Sequence, residues 1–117
     1  MKYDDNNIFA KILRGEIPCN KIYEDDFVLS FYDINPQKKI HALVIPKGKY
    51  IDLDDFNTNA SNEEIIGLMK GITTVAKKLG ISSIDGKGYR ALANISDYGG
   101  QEVPHLHFHL FGGEKVG

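Results

Sequence analysis

His105-Leu106-His107-Phe108-His109-Leu110-Phe111 is the stretch on which the reading of this chain turns. Three of the four histidines fall here at alternate positions, with apolar residues between them. A period of two is the period of a strand, which sends successive side chains to opposite faces. The spacing predicts a strand with its imidazoles on one side and Leu106, Phe108 and Leu110 turned toward a core.

Working back from this strand, Gly99-Gly100 closes a turn that begins at Asp97, and Tyr89 to Ile95 reads as another strand after Gly86-Lys87-Gly88. Before it, Ser61 with Glu64 three residues later forms a capping-box signature. A long helix, Glu63 to Leu79, is expected there, with Ile65, Leu68, Met69, Ile72, Val75, Ala76 and Leu79 on one stripe and Gly80 as terminator. The acidic, asparagine-rich stretch from Asp52 to Ser61 reads as a loop.

Toward the N-terminus, His41-Ala42-Leu43-Val44-Ile45 is nearly all apolar, as expected of a central strand covered on both faces and closed by Pro46. Lys21-Ile22-Tyr23 and Phe27 to Tyr32 form a hairpin around Glu24-Asp25-Asp26, and Asp33-Ile34-Asn35-Pro36 is a turn. Ile8, Phe9, Ile12 and Leu13 recur at helical spacing, and Gly15 and Pro18 stop them. The sum is a single α+β domain over residues 1–117: a five-stranded antiparallel sheet with one short and one long helix.

With 117 residues, 42% of them hydrophobic and 26% charged, the chain has the size and composition of one folded domain. Fourteen basic against sixteen acidic residues give a net charge of -2, and the lysines are scattered. No nucleic-acid surface is expected from that balance. Any phosphate would be held mainly by neutral donors such as backbone N–H, histidine, asparagine or glutamine. Cys19 is the only cysteine and reads as an inert thiol. No secretory signal or membrane-length apolar run is present in the sequence, so no membrane partner and a cytoplasmic location are expected.

Three functions could use the histidine run. A solvated polar face is one, although threonine or lysine would serve it as well. A metal site is another, since His-X-His on a strand supplies two ligands and His41 could add a third. Three strand histidines span roughly 13 Å at about 3.3 Å per residue, too far for one ion to bind all three, so a metal would use two. Phosphoryl transfer uses all three. The central neutral imidazole attacks, while its neighbours orient it, stabilise charge on the phosphate oxygens and deliver a proton to the leaving group.

The run has the form His-φ-His-φ-His-φ-φ, φ being apolar, and on this motif the chain resembles the histidine triad (HIT) family, its Hint-like branch in particular. The similarity extends through Ile8-Phe9-Ala10-Lys11-Ile12, Glu16-Ile17-Pro18, Asp33-Ile34-Asn35-Pro36, His41 to Pro46, Gly99-Gly100-Gln101 and Gly112-Gly113. It implies hydrolysis of purine nucleoside 5'-phosphoramidates through a covalent nucleotidyl-histidine at His107, assisted by His105 and His109, with no cofactor or metal.

By the same resemblance, His41 joins the triad by hydrogen bonding, although a lone histidine in an apolar strand also reads as a satisfied core residue. Asn94 and Gly100-Gln101-Glu102-Val103, together with His107 and His109, match phosphate-contacting positions; a plain β-turn also explains the glycines. Asp33 matches a ribose-binding carboxylate, with Ile34, Phe31, Ile8, Phe9 and Ile12 as walls around the base. From the residues alone Asp33 is a turn residue and the others are core. Glu102 departs from the serine of several family members, which leaves its backbone N–H as the expected phosphate donor. The resemblance further implies a homodimer with a ten-stranded sheet and the long helix at or near the interface, and eight residues after His109 make a short tail.

Two other functions remain in view. One is a metal-dependent hydrolase using two triad histidines; the other is a nucleotide-binding module without catalysis.

Overall fold

Residue 2 onward to 117 is described by a computed structural model. In chain order the elements are α1 (Ile8–Leu13), β1 (Lys21–Glu24), β2 (Val28–Tyr32), β3 (Ile40–Pro46), α2 (Leu53–Asn59), α3 (Asn62–Lys78), β4 (Arg90–Leu92) and β5 (Phe108–Gly112). The strands form one antiparallel sheet in the order β1-β2-β3-β5-β4. The expected five-stranded antiparallel sheet is therefore present, and β3 is its central strand, buried almost throughout.

Period-two alternation gives the sheet two covered faces. Ile22, Val28, Ala42, Val44, Leu106 and Leu110 meet Leu68, Ile72 and Val75 of α3. On the other face, Leu29, Phe31, Leu43 and Ile45 pack with Phe9 of α1, and Ile12, Leu13 and Val103 close over them. Asn7 caps α1 by accepting the Ala10 N–H, and Ser61 and Glu64 make the expected capping box on α3. Gly67 lets α3 approach the sheet, because a Cβ there would lie 2.4 Å from the Phe27 ring. Met69, expected on the apolar stripe, is 47% exposed instead, turned off the packed face.

Three expectations need correction. The stretch from Asp52 to Ser61 contains a helix, α2, where a loop was expected. Asp52 caps it by accepting the Asp55 N–H, Asp54 and Asp55 place negative charge in its first turn, and Phe56 buries all but 1% of its surface. The acidic composition that suggested a loop is what starts the helix.

The strand predicted over Tyr89 to Ile95 is paired only from Arg90 to Leu92, where Leu92 faces His109. Beyond this the chain leaves the ladder, with Ser96 in the left-handed region at φ +59°. The final strand starts late for a related reason: only His109 of the triad lies in β5. Pro104 has no N–H to give a ladder. The His105 N–H turns to Val103 O and the Leu106 N–H to Tyr50 O, both at 2.9 Å. Side-chain alternation survives the bend, since Leu106 still joins the α3 side while His107 packs on Phe9.

Candidate active site

The histidines lie on the α1 side of the sheet and are not a solvated face. His105 is 0% exposed, His41 2% and His107 6%. Phe9 meets the His107 ring edge-on at 4.9 Å and the His105 ring at 6.4 Å. Register brings His41 in, because β3 and β5 pair His41 with Phe111 and Leu43 with His109, making His41 and His109 diagonal neighbours.

Partners that can only donate or only accept fix each tautomer. His105 Nε2 lies 2.9 Å from Pro46 O, a pure acceptor, so Nε2 carries the hydrogen and Nδ1 accepts from the Tyr3 hydroxyl at 2.6 Å. His107 Nδ1 is 2.8 Å from His105 O and donates to it. The lone pair of His107 is therefore on Nε2, and no described residue bonds to it. The Gln37 N–H donates to His41 Nδ1 at 3.2 Å, which places the His41 hydrogen on Nε2, 2.9 Å from His109 Nδ1. His109 must then carry its hydrogen on Nε2, a buried donor without an acceptor among the described residues.

Burial sets the charge. Desolvation lowers all four imidazole pKa values, to about 4 for His105 and for His109. The neighbouring imidazoles push His109 the same way. At His107 burial is the larger influence, and the His105 carbonyl, Asp33 and Glu102 oppose it. The cluster is accordingly neutral near pH 7: one imidazole presents a free lone pair and another a free N–H.

Asp33 stands in the turn read from the sequence and also reaches the histidine cluster. Its Oδ1 accepts the Asn35 N–H in the turn, while Oδ2 lies 3.5 Å from His41 Nε2. Asp33, His41 and His109 also have ligand atoms within 4.8 Å of one another, close enough to surround a metal ion. That set contains one triad histidine, whereas the metal reading from sequence used two.

The loop before the triad is built around Gln101. Its Nε2 donates to Ile51 O at 2.6 Å and Val103 O at 3.0 Å, its Oε1 accepts the Ser96 N–H, and its own N–H goes to Ser96 O. With its donors spent inside the loop, Gln101 braces the segment and offers none to a ligand. Gly100, at φ +75°, provides the left-handed turn beside it. The Glu102 and Val103 N–H groups have no acceptor among the described residues.

Asn94 and His109 line a hollow of about 290 Å³ with Gln37, Lys38, Arg90 and Leu92. Two cations thus stand nearer the site than the scattered charge of the sequence suggested. A larger depression, bounded by Gly80, Gly86 to Arg90 and Gly113 to Val116, includes none of the histidines. Among the expected base walls, Phe9 and Phe31 belong to the core, Ile12 packs against it, and Ile8 and Ile34 are exposed, Ile34 by 86%. Sequence reading missed Tyr3 and Gln37. Neither could be found from the sequence, since Tyr3 lies 102 residues from its partner and Gln37 acts through its backbone.

An antiparallel sheet that gathers four neutral imidazoles, three of them buried and one with its Nε2 lone pair free, defines a small α+β protein equipped for nucleophilic chemistry. Residues 14–116 match the family model described as HIT domain, and the chain belongs to the HIT family. It is 51% identical to a 13.2 kDa HIT-like protein of Azospirillum brasilense, over 98% of this chain and 92% of that one. It is 42% identical to the purine nucleoside phosphoramidase of Escherichia coli, over 97% and 92% of the two chains. Among solved structures, a HIT family hydrolase from Clostridium thermocellum superposes with a TM-score of 0.86 at 38% identity, covering 97% and 96%. A histidine triad protein from Clostridium difficile gives 0.83 at 40% identity, covering 100% and 97%. The family expected from the histidine run is borne out.

Proposed function

We propose that this chain is a nucleotide hydrolase that converts purine nucleoside 5'-phosphoramidates to the nucleoside monophosphate through a nucleotidyl intermediate on His107. The observation that carries the reading is the 2.8 Å bond from His107 Nδ1 to His105 O, which reserves the Nε2 lone pair for attack. The 42% identity to a purine nucleoside phosphoramidase supports the substrate class.

His107 Nε2 forms a bond to the α-phosphorus, and the phosphorus–nitrogen bond breaks with its electron pair leaving on nitrogen. A neutral imidazole is a poor acid, and with His105 and His109 at about 4 the extra proton enters on the substrate's own nitrogen. The amine then departs neutral. His109 Nε2–H donates to a phosphate oxygen as charge develops, joined by the Glu102 and Val103 N–H groups. Water next attacks phosphorus, the bond to Nε2 returns its pair to His107, and one proton passes to solvent.

In this reading Asp33 binds the ribose hydroxyls, and Ile8 and Ile34 flank the base, backed by Phe9, Ile12 and Phe31. Asn94, Gly100 and Gln101 shape the phosphate side. Side-chain hydrogen bonds to the base are few, so adenine and guanine are both accepted. Two copies of the 117-residue domain form a homodimer.

The test is turnover of an adenosine phosphoramidate by wild type and His107→Asn, with metal omitted. His107→Asn should lose all measurable turnover while AMP binding survives. Full activity in that variant refutes the reading. A wild type that turns over only when zinc is supplied would transfer the chemistry to a metal, and binding without turnover would make the chain a nucleotide-binding module.

A further inference from the structure

We infer that Tyr3 is a positioning residue for the nucleophile, acting through His105. The inference rests on the role proposed for His107.

The Tyr3 hydroxyl lies 2.6 Å from His105 Nδ1, and the two rings meet edge-on at 5.7 Å. The opposite ring nitrogen of His105 is 2.9 Å from Pro46 O. A fully buried imidazole is thus held at both nitrogens, by a donor from the N-terminal segment and an acceptor at the end of β3. The two contacts depend on each other. Pro46 O can only accept, so it requires the hydrogen on Nε2; Tyr3 donates only to a bare Nδ1, which is the same tautomer. Without the hydroxyl, Nδ1 is a buried acceptor with nothing to accept. Moving the hydrogen to Nδ1 would then face the Nε2 lone pair against the Pro46 oxygen.

The consequence for His107 runs through the backbone. His105 O is the acceptor that holds the His107 hydrogen on Nδ1. His105 stands in the bend after Pro104, outside the sheet ladder, and among the described residues its N–H bonds only to Val103 O two residues back. No strand pairing fixes the direction of that carbonyl. The Leu106 N–H of the same peptide plane, bonded to Tyr50 O, holds it from one side and the pinned ring of His105 from the other, and Tyr3 is one of that ring's two pins. Burial raises the Tyr3 pKa, so the hydroxyl remains a donor through the neutral and mildly alkaline range.

The experiment compares wild type with Tyr3→Phe, which keeps the ring contact and removes the hydroxyl. Two readouts are made: kcat and KM for an adenosine phosphoramidate, and ¹⁵N NMR of the histidine rings. In wild type, His107 should show a protonated Nδ1 and a bare Nε2. In Tyr3→Phe, kcat should fall by about 10- to 100-fold, the scale seen when the partner orienting a metal-ligating imidazole is removed. KM should change less than about threefold, since binding groups are untouched, and the His107 ring should become a tautomer mixture.

Unchanged kcat with an unchanged His107 ring overturns the inference. So does a fall in kcat with the His107 tautomer intact, which would assign Tyr3 another role. Should Tyr3→Phe not fold, the wild-type spectrum still decides, because hydrogen on His107 Nε2 contradicts the relay. His107→Asn measured in parallel separates the two ideas: activity there refutes the proposed function, and inactivity there with a fully active Tyr3→Phe refutes this inference alone.

Discussion

His41 Nε2 stands 2.9 Å from His109 Nδ1, so a buried β3 imidazole dictates which nitrogen of its β5 neighbour carries the hydrogen. The Gln37 N–H behind His41 starts this chain of constraints, and the Nε2–H of His109, without a partner among the described residues, ends it. A core histidine and a site histidine are here one residue. Its burial satisfies packing, and its single hydrogen fixes which nitrogen of His109 is the donor.

Replacing His41 by alanine should therefore harm turnover more than nucleotide binding. Loss of the partner that orients a metal-ligating imidazole costs on the order of 10- to 100-fold in activity, and a fall in kcat on that scale is expected here. The emptied space in β3 should also lower stability by about 1–3 kcal/mol. Steady-state kinetics with urea denaturation checks both, and full kcat in a folded His41→Ala protein would exclude the coupling.

Gln101 has a different task, and its variant should fail differently. Gln101→Ala removes the brace between Ser96, Ile51 and Val103. The freed loop no longer holds the Glu102 and Val103 N–H groups ready for an anion. An increase in KM of about tenfold, equal to roughly 1.4 kcal/mol of binding, is expected with a smaller change in kcat. AMP titration by calorimetry provides an independent check. Unchanged affinity would assign the anion contacts elsewhere.

Acid should destabilise the protein before its carboxylates titrate. His105 and His109 are held near 4, below the ordinary value of 6.5, so between these limits the unfolded chain binds more protons than the folded one. Their stabilisation is complete above about pH 6.5 and is lost as pH falls toward 4. For His105, fully buried, this amounts to about 3 kcal/mol. The urea midpoint should decline steadily from pH 7 to pH 4.5. A flat midpoint over that interval would mean that these rings are not neutral in the fold.

Much of this molecule could be read locally. The Ser61–Glu64 capping box, the apolar face of α3 and the apolar strand runs Val28 to Phe31 and His41 to Ile45 involve contacts within a few residues, a fixed period or composition alone. The histidine run pointed to the family by the same means. Where reading failed, a distant contact had joined a local signal and decided its outcome. Phe56 turned an acidic stretch into α2 by finding the core, and Pro104 with Tyr50 O drew His105 and His107 out of the strand.

The sequence by itself determined that three imidazoles would share one side of a chain whose other side is apolar, because alternation needs no partner. Only tertiary structure decided what those imidazoles are. Their neutrality comes from burial, beneath Phe9 for His105 and His107; the tautomers of His105 and His109 come from Tyr3, Pro46, Gln37 and His41, groups that the fold brings from far along the chain, and His107 takes its own from the His105 carbonyl that the bend turns toward it. A ring nitrogen's proton depends on the atom opposite it, and that atom is specified by the fold.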